Sequence, residues 1–537
     1  IAGPEFELSA SSLTLALASS PASQTFVKGT QGVDAVGLAF TASLASGLKV
    51  TDVTLTGYVA DSGSTVEIGV GTGADASLSV AKLVSAVKIY DGETGALISS
   101  TPASNNLNTS TGTVVFNNLA WNIPAGATKT LLVRADLSSL SVSGSSDVFS
   151  FDIDATTDVT ALDDSNNTVN AAAGDPNGAT SATIFQTVSS GGTLAATLAP
   201  ASPSTGAVYW GQSNVEFSKF RFTSTNEAYF IERLNLDTAD TAANMTANIK
   251  NVTLAYTALD EVTNQLVEKT AIGTFNNAGS VSFAFSGSNR PYVPKDSSAD
   301  VTVLANLKNN SEGATNAVNF SIDFSGGAAD EFRAIGAGSD ALAIGTDAGI
   351  VNRAGNNQYV YRVFPRFTKV ADSVSSLTPT DSEVLRFTVE AMGLSDASLV
   401  FDGATDAASG TIKFEIVASG SDTTATPTFN VYDAANDELL DTGSLADTTA
   451  DPSPNASLSF DFSSKTGGVE ISGGNSKTFY VRVDLSKFAD DGDYFQIVLR
   501  DDEASLVKWQ SNSEDTTSVT SVLRQLPLFG TTKVRNI

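Results

Sequence analysis

Three stretches of the chain carry the same strict alternation of apolar and polar residues. Thr130–Leu137 reads TLLVRADL, Val301–Leu307 reads VTVLANL and Thr478–Leu485 reads TFYVRVDL. Leu131, Val133, Ala135 and Leu137 correspond to Val301, Val303, Ala305 and Leu307, and again to Phe479, Val481, Val483 and Leu485. Successive side chains of a strand point to opposite faces, so a period of two puts all these apolar residues on one face of a half-buried antiparallel strand. The equivalent Val133, Val303 and Val481 stand 170 and 178 positions apart.

Other landmarks recur in the same order. An early strand carries a Phe-Thr pair at Phe40-Thr41, Phe222-Thr223 and Phe387-Thr388. A middle strand starts at Val84 (VSAVKIYDG), Ile249 (IKNVTLAYT) and Pro427 (PTFNVYDA). The strand after the alternating one carries Phe149, Phe151 and Ile153, then Phe320, Ile322 and Phe324, then Phe495, Ile497 and Leu499. Between them lie turn clusters such as Pro124-Ala125-Gly126, Asp296-Ser297-Ser298 and Gly473-Gly474-Asn475. Gly and Asn accept positive φ and Pro pre-sets the first turn dihedral, which makes these clusters chain reversals. No stretch has a convincing helical period.

The pattern predicts an all-β chain of three tandem immunoglobulin-like antiparallel β-sandwich domains in an elongated array. Interruptions at Ser189-Ser190-Gly191-Gly192 and Ala371-Asp372-Ser373 place the sandwiches at 9–190, 191–372 and 373–537, with 1–8 (IAGPEFEL) as a cloning scar or N-terminal extension. Each sandwich should measure roughly 40 Å across, so three in line would form a rod on the order of 120 Å.

A chain of 537 residues is too long for one core, in keeping with several domains. Acidic residues outnumber basic ones 59 to 30, for a net charge of −29. That charge repels phosphate backbones and anionic lipid, and makes cations the expected ionic partners, Ca²⁺ first. The chain contains 0 Cys and 0 His, which excludes disulfides, thiolate nucleophiles, imidazole bases and the usual zinc and iron–sulfur sites. No apolar run reaches the roughly 20 residues that span a bilayer, so direct membrane insertion is not expected. A non-catalytic, secreted protein follows as the expectation.

The strings IPAGATKTLLVRADLS from Ile123, ISGGNSKTFYVRVDLS from Ile471 and VSAVKIYDGETG from Val84 resemble tandem repeats of large surface-layer and surface-fibre proteins of prokaryotes, including ultra-small candidate-phylum bacteria. The middle copy departs from them, with Tyr292-Val293-Pro294-Lys295 in place of the Pro-Ala-Gly turn. The resemblance implies an extracellular structural protein whose partner is itself, in a homo-oligomeric lattice (S-layer) or fibre. The alternative is an adhesin or an array of carbohydrate-binding modules.

Candidate chemistry is confined to oxygen ligands. Asp490, Asp491 and Asp493 concentrate carboxylates in one loop, as do Asp152, Asp154 and Asp158, and Asp91 with Glu93. Hard carboxylate oxygens suit Ca²⁺, so Asp490, Asp491, Asp493, Asp152 and Asp154 are the candidate metal ligands, although none fits the twelve-residue helix–loop–helix spacing. Chance pairs among 59 acids name no glycosidase dyad. Trp121, Trp210 and Trp509, one per copy, read as packing residues. Arg134 and Asp136 recur as Arg482 and Asp484, on a sheet face that is solvated, pairs across strands or meets a neighbouring molecule. Asn-X-Ser/Thr sequons at Asn108, Asn166, Asn244, Asn251, Asn309, Asn319 and Asn455 would accept glycans in a host that adds them. Finally, Gln525–Val534 resembles Val363–Val370 and is expected to close the third sandwich or to pair with a neighbouring molecule.

Overall fold

The computed structural model describes residues 10–61, 67–71, 78–99, 107–139, 146–178, 184–260, 262–371, 382–403, 410–419, 428–444, 456–484, 490–500, 506–512, 514–516, 522–523 and 525–535. The 1–8 extension and Asn455 lie outside them.

Each copy contains a five-stranded antiparallel sheet of the same topology. Its strands are labelled here in chain order. In the first copy they are β1 (Leu13–Leu17), β2 (Val33–Ala42), β3 (Val84–Asp91), β4 (Leu97–Ser99) and β5 (Thr128–Leu137), in spatial order β1-β2-β5-β3-β4. The second has β6 (Thr193–Leu198), β7 (Val215–Thr225), β8 (Ile249–Asp260), β9 (Gln265–Gly273) and β10 (Ser298–Leu307), in order β6-β7-β10-β8-β9. The third has β11 (Val363–Lys369), β12 (Ser382–Gly393), β13 (Thr428–Asp433), β14 (Glu438–Ser444) and β15 (Ser476–Val483), in order β11-β12-β15-β13-β14. The alternating stretches are therefore the central strands β5, β10 and β15. Their apolar faces sit at the middle of each core, where Val133, Val303 and Val481 are fully buried.

A second sheet packs on each of these. In the first copy it runs Thr168–Asn170, Val159–Asp163, Leu48–Asp61, Ser146–Asp152, Gln186–Ser189 and Thr25–Val27. The third copy has a comparable sheet, and in the second copy this layer is split into a three-stranded and a six-stranded sheet. Among the described residues the strands pair antiparallel except for Thr25–Val27 with Gln186–Ser189 and Gly206–Tyr209 with Gln358–Tyr361, and an isolated bridge joins Leu13 to Ala171 in parallel. Short helices at Val80–Leu83 and Ala242–Asn248 immediately precede β3 and β8. Four to seven residues are too few to show a 3.6-residue period in sequence.

Three separate hydrophobic clusters result, spanning Leu13–Val188, Leu194–Val360 and Tyr361–Leu528. The second division corrects the boundary placed at 372. β11 pairs with β12 along its whole length, and Val363 and Phe367 enter the third core. The interruption at Ala371-Asp372-Ser373, of which Asp372 and Ser373 lie outside the described residues, falls in sequence between two paired strands of the third copy. One residue, Arg362, separates the last strand of the second copy from β11. The chain passes between copies with almost no free linker.

A β-bulge recurs at one place in all three sheets. Opposite the central strand an extra residue is accommodated, Ala35 in β2, Phe217 in β7 and Val384 in β12. Each bulged residue is apolar and buried, and each follows an acid, namely Asp34, Glu216 or Glu383. A bulge turns one additional side chain into the core and fixes register. Counting from it corrects the early landmark. Leu131 faces Leu38, Val301 faces Phe220 and Phe479 faces Phe387, so Phe387-Thr388 lies two residues out of step with Phe40-Thr41 and Phe222-Thr223. Slippage by two keeps the face, which is why the sequence pattern concealed it.

The C-terminal segment pairs inside its own sandwich. Leu528–Phe529 and Lys533–Val534 both join Tyr494–Leu499, and Lys369 donates to Thr531 Oγ1 at 3.0 Å. The two similar segments, Val363–Val370 and Gln525–Val534, therefore meet within the third copy.

Candidate functional site

Acidic side chains are the only abundant reactive groups, and the fold uses many of them to hold its own backbone. After β3, Asp91 Oδ1 accepts from the backbone N–H groups of Glu93 and Thr94, and Gly95 N–H closes the turn onto Asp91 O. Asp433 and Asp260 do the same work after β13 and β8, with Asp437 and Asn264 in the positive-φ position that Gly95 fills. Asp91 Oδ2 also accepts from Trp121 Nε1 at 2.9 Å and from Lys129 Nζ at 3.1 Å. Lys477 repeats that ion pair with Asp433 at 3.3 Å. Burial opposes ionisation of Asp91, but hydrogen bonds from Trp121, Thr94 and Lys129 outweigh it and hold the carboxyl well below the usual range. Asp91 and Glu93 thus form a structural turn, and the exposed Glu93 contributes its backbone to it.

In the loop at 490–493, Asp493 is buried and its carboxylate accepts from the Asp490 N–H at 3.0 Å, while Asp490 and Asp491 are exposed. Asp152 lies at the end of Ser146–Asp152, where it accepts from the N–H groups of Ile153 (2.8 Å) and Asn177 (3.1 Å). Asp154 accepts from the Tyr58 hydroxyl, and Asp158 accepts from Ala155 N–H. Among the described residues no three acidic side chains converge in a geometry that could hold a metal ion. The five candidate ligands fall into two separate places, where Asp493, Asp152 and Asp154 accept from neighbouring protein donors.

Asp152 has a measurable signature. Burial, with smaller contributions from Asp154 and Asp175, raises its pKa from 3.8 to about 6 against the lowering effect of its backbone donors. A folded-state pKa above the unfolded value means that Asp152 contributes stability below about pH 4 and that this is lost as pH rises through 6. The loss is on the order of 2–3 kcal/mol. An Asp152→Asn variant should therefore gain stability relative to the wild type as pH is raised from 4 to 7, read as melting of the first copy. A stability difference independent of pH would show that Asp152 titrates normally.

The outer faces of the five-stranded sheets are more elaborate than a bare solvated surface. In the first copy Arg134 pairs with Asp34 and lies 4.7 Å from the Tyr90 ring centre, and Lys88 reaches Asp136 at 2.7 Å. In the third, Tyr432 and Tyr480 stack with centroids 5.0 Å apart, flanked by Arg482 and Arg386. Glu383 holds Arg386, and Asp437 accepts from the Tyr480 hydroxyl at 2.8 Å. Arg134 and Asp136 thus pair across strands, on a central strand rather than at an edge. The second copy has Leu304 and Thr302 at the positions of Arg134 and Leu132, and a groove of about 390 Å³ where Arg221 makes a bidentate pair with Asp300.

All three tryptophans are buried. Trp121 packs edge-on against Phe40, and Trp509 donates to Val363 O at 2.9 Å and meets Tyr361. Trp210 lies at the junction of the second and third copies, with its backbone N–H donating to Tyr361 O and the Arg362 guanidinium 5.7 Å from its ring centre. Two features went unread in the sequence although their signals were there: the acid before each bulge, and the Asp four residues ahead of Gly95, Asn264 and Asp437.

No family model matches the chain, and no curated protein matches it. Among solved structures, the C-terminal domain of the AgI/II polypeptide BspA of Streptococcus agalactiae aligns at 8% identity over 65% of this chain and 100% of that one, with a TM-score of 0.18. A putative membrane-anchored protein of Corynebacterium diphtheriae aligns at 9% identity over 98% and 95% of the two chains, with a TM-score of 0.17. The 35 kDa C-terminal fragment of the major pilin GBS80 of S. agalactiae aligns at 11% identity over 64% and 91%, with a TM-score of 0.17. Scores of this size do not establish a common fold, and the architecture rests on the strand pairing described above.

Proposed function

We propose that the chain is an extracellular structural protein of the cell surface that associates with itself into a layer or a fibre. The observation that carries this reading is the three-fold recurrence of one sheet topology, with copies joined nearly strand to strand. Repeated rigid units set in line span distance without catalysis, and closely coupled copies transmit position from one end to the other. Among the described residues, carboxylates such as Asp91, Asp152 and Asp433 and rings such as Trp121 and Trp509 are engaged in turns, ion pairs and cores.

Cations enter the proposal as counter-charges between molecules. A chain of charge −29 repels its copies, and neutralisation at exposed acids such as Asp490 lowers that barrier. Ordered assemblies should therefore form in millimolar Ca²⁺ and disperse with chelator, as seen by light scattering and negative-stain electron microscopy. Electron microscopy of the native envelope distinguishes a lattice, a filament and dispersed molecules. Dispersed single molecules together with binding on a glycan array would replace this reading with that of an adhesin or carbohydrate-binding array.

A further inference from the structure

The middle copy differs from the others in one exposed element. Tyr90 and Tyr432, which pair with Leu132 and Tyr480, are followed at once by the turn aspartates Asp91 and Asp433. The corresponding Ala255 pairs with Thr302, yet its turn aspartate is Asp260, four residues further along than Tyr256. The β8–β9 hairpin is therefore extended by about 13 Å at some 3.3 Å per residue. Its outer strand β9 has nine residues, QLVEKTAIG, whereas β4 has three.

β9 is an edge. It pairs with β8, and among the described residues no strand pairs with its far side. The opposite edges of all three sheets each bond their own chain at one or two points. Ala172 N–H bonds Leu13 O beside β1, Ala196 of β6 bonds Gly349 O and Arg353, and Trp509 bonds Val363 O beside β11. β14 is flanked by Leu458 and Ser459 at Gly443. β9 also exposes aliphatic side chains, with Leu266 53% and Ile272 71% accessible. A long open edge of this kind is a template for another strand. Of the two outer edges with no described neighbour, β4 offers three residues and β9 nine, so the edge that matches β9 in length is β9 of another molecule.

We propose that β9 pairs antiparallel with β9 of a second copy about a two-fold axis through Lys269. This rests on the self-assembly reading above and deepens it by naming a contact. Opposed residues in an antiparallel pair share a face, so a two-fold axis normal to the sheet must pass through a residue. Placed at Lys269, it sets Leu266 opposite the partner's Ile272 and Glu268 opposite the partner's Thr270, and by symmetry makes each contact twice. Placed at Glu268 instead, it would put two carboxylates face to face and set Leu266 against the partner's Thr270. The axis at Lys269 also sets two ammonium groups opposite one another, and the interaction of each with Asp260 of its own chain offsets their repulsion.

The natural absence of cysteine makes cross-linking a clean test in the full chain. A residue on the axis meets its own copy, so Lys269→Cys should give a covalent dimer under mild oxidation at least ten times faster than Val262→Cys at the hairpin tip. In sedimentation, the wild type should rise from 55.3 kDa towards twice that mass with concentration. Leu266→Lys with Ile272→Lys should weaken this at least ten-fold while melting is unchanged, since both side chains already face solvent. Equal cross-linking of the two cysteine variants overturns the register. Association that survives the double substitution overturns the edge pairing and leaves self-assembly standing. A dimer that never grows into larger assemblies supports the edge pairing and overturns the layer or fibre. A monomer at all concentrations overturns both.

Discussion

Replacing Phe222 with alanine is expected to lower the melting of the middle copy by on the order of 10 °C and to leave the other two copies in place. Phe222 is fully buried on β7. Its ring stacks on Phe332 at 5.5 Å and meets Phe324 edge-on at 5.4 Å, while Phe324 meets Phe332 at 5.5 Å. These three rings tie the five-stranded sheet to the opposing layer. Truncation removes their mutual contact as well as the apolar area, and leaves a cavity that the neighbouring strands cannot close. Phe→Ala at such a site costs about 3–5 kcal/mol. A domain of roughly 170 residues loses about 2–4 °C per kcal/mol. Because the three clusters share no common core, one calorimetric transition should move while the others stay. If all transitions moved together, the three copies would be one cooperative unit and the division at Tyr361 would have no energetic meaning.

Glu227→Ala should destabilise the same copy by about 3–5 kcal/mol, through polar groups rather than packing. The Glu227 carboxylate is 4% exposed and accepts from the backbone N–H groups of Gly192, Gly338 and Ser339, at 3.1, 2.8 and 2.6 Å, and from Ser339 Oγ at 2.7 Å. It thereby fixes the connection from the first copy to the loop at Gly338-Ser339. Removing it leaves three backbone donors facing a space that the shorter side chain cannot fill. Glu227→Gln keeps one carbonyl acceptor and should fall between wild type and alanine. Melting of the middle transition and protease cleavage near Gly191–Gly192 report the effect. A change under 0.5 kcal/mol in the alanine variant would mean that these donors find other partners.

Much of this was legible beforehand because burial in a sandwich alternates with a period of two, and that period is written directly in the residues. Val133, Val303 and Val481 could be aligned on it, and all three lie at the centre of equivalent strands. The all-β class, the three-fold recurrence and the buried tryptophans follow from the same local information. Turns were equally readable, since Gly126, Asp296 and Gly474, each within a turn cluster evident in the sequence, occupy the left-handed region that Gly and Asp tolerate.

Register and partnership were not, since they are properties of two strands and alternation describes one. A two-residue slip preserves the face of every side chain, so Phe387 was matched with Phe40 and Phe222 until the bulge at Val384 fixed the pairing. The boundary near 372 failed for a related reason: polar interruption marks a loop, whereas a domain is bounded by which core a strand enters, and Val363 and Phe367 enter the third. The acids present the sharpest case. Composition shows how many carboxylates there are, but not which donors the fold brings to each. Tertiary structure alone brought Asn177 to Asp152, Trp121 and Lys129 to Asp91, and Gly338 to Glu227, from 25 to 111 residues away in sequence.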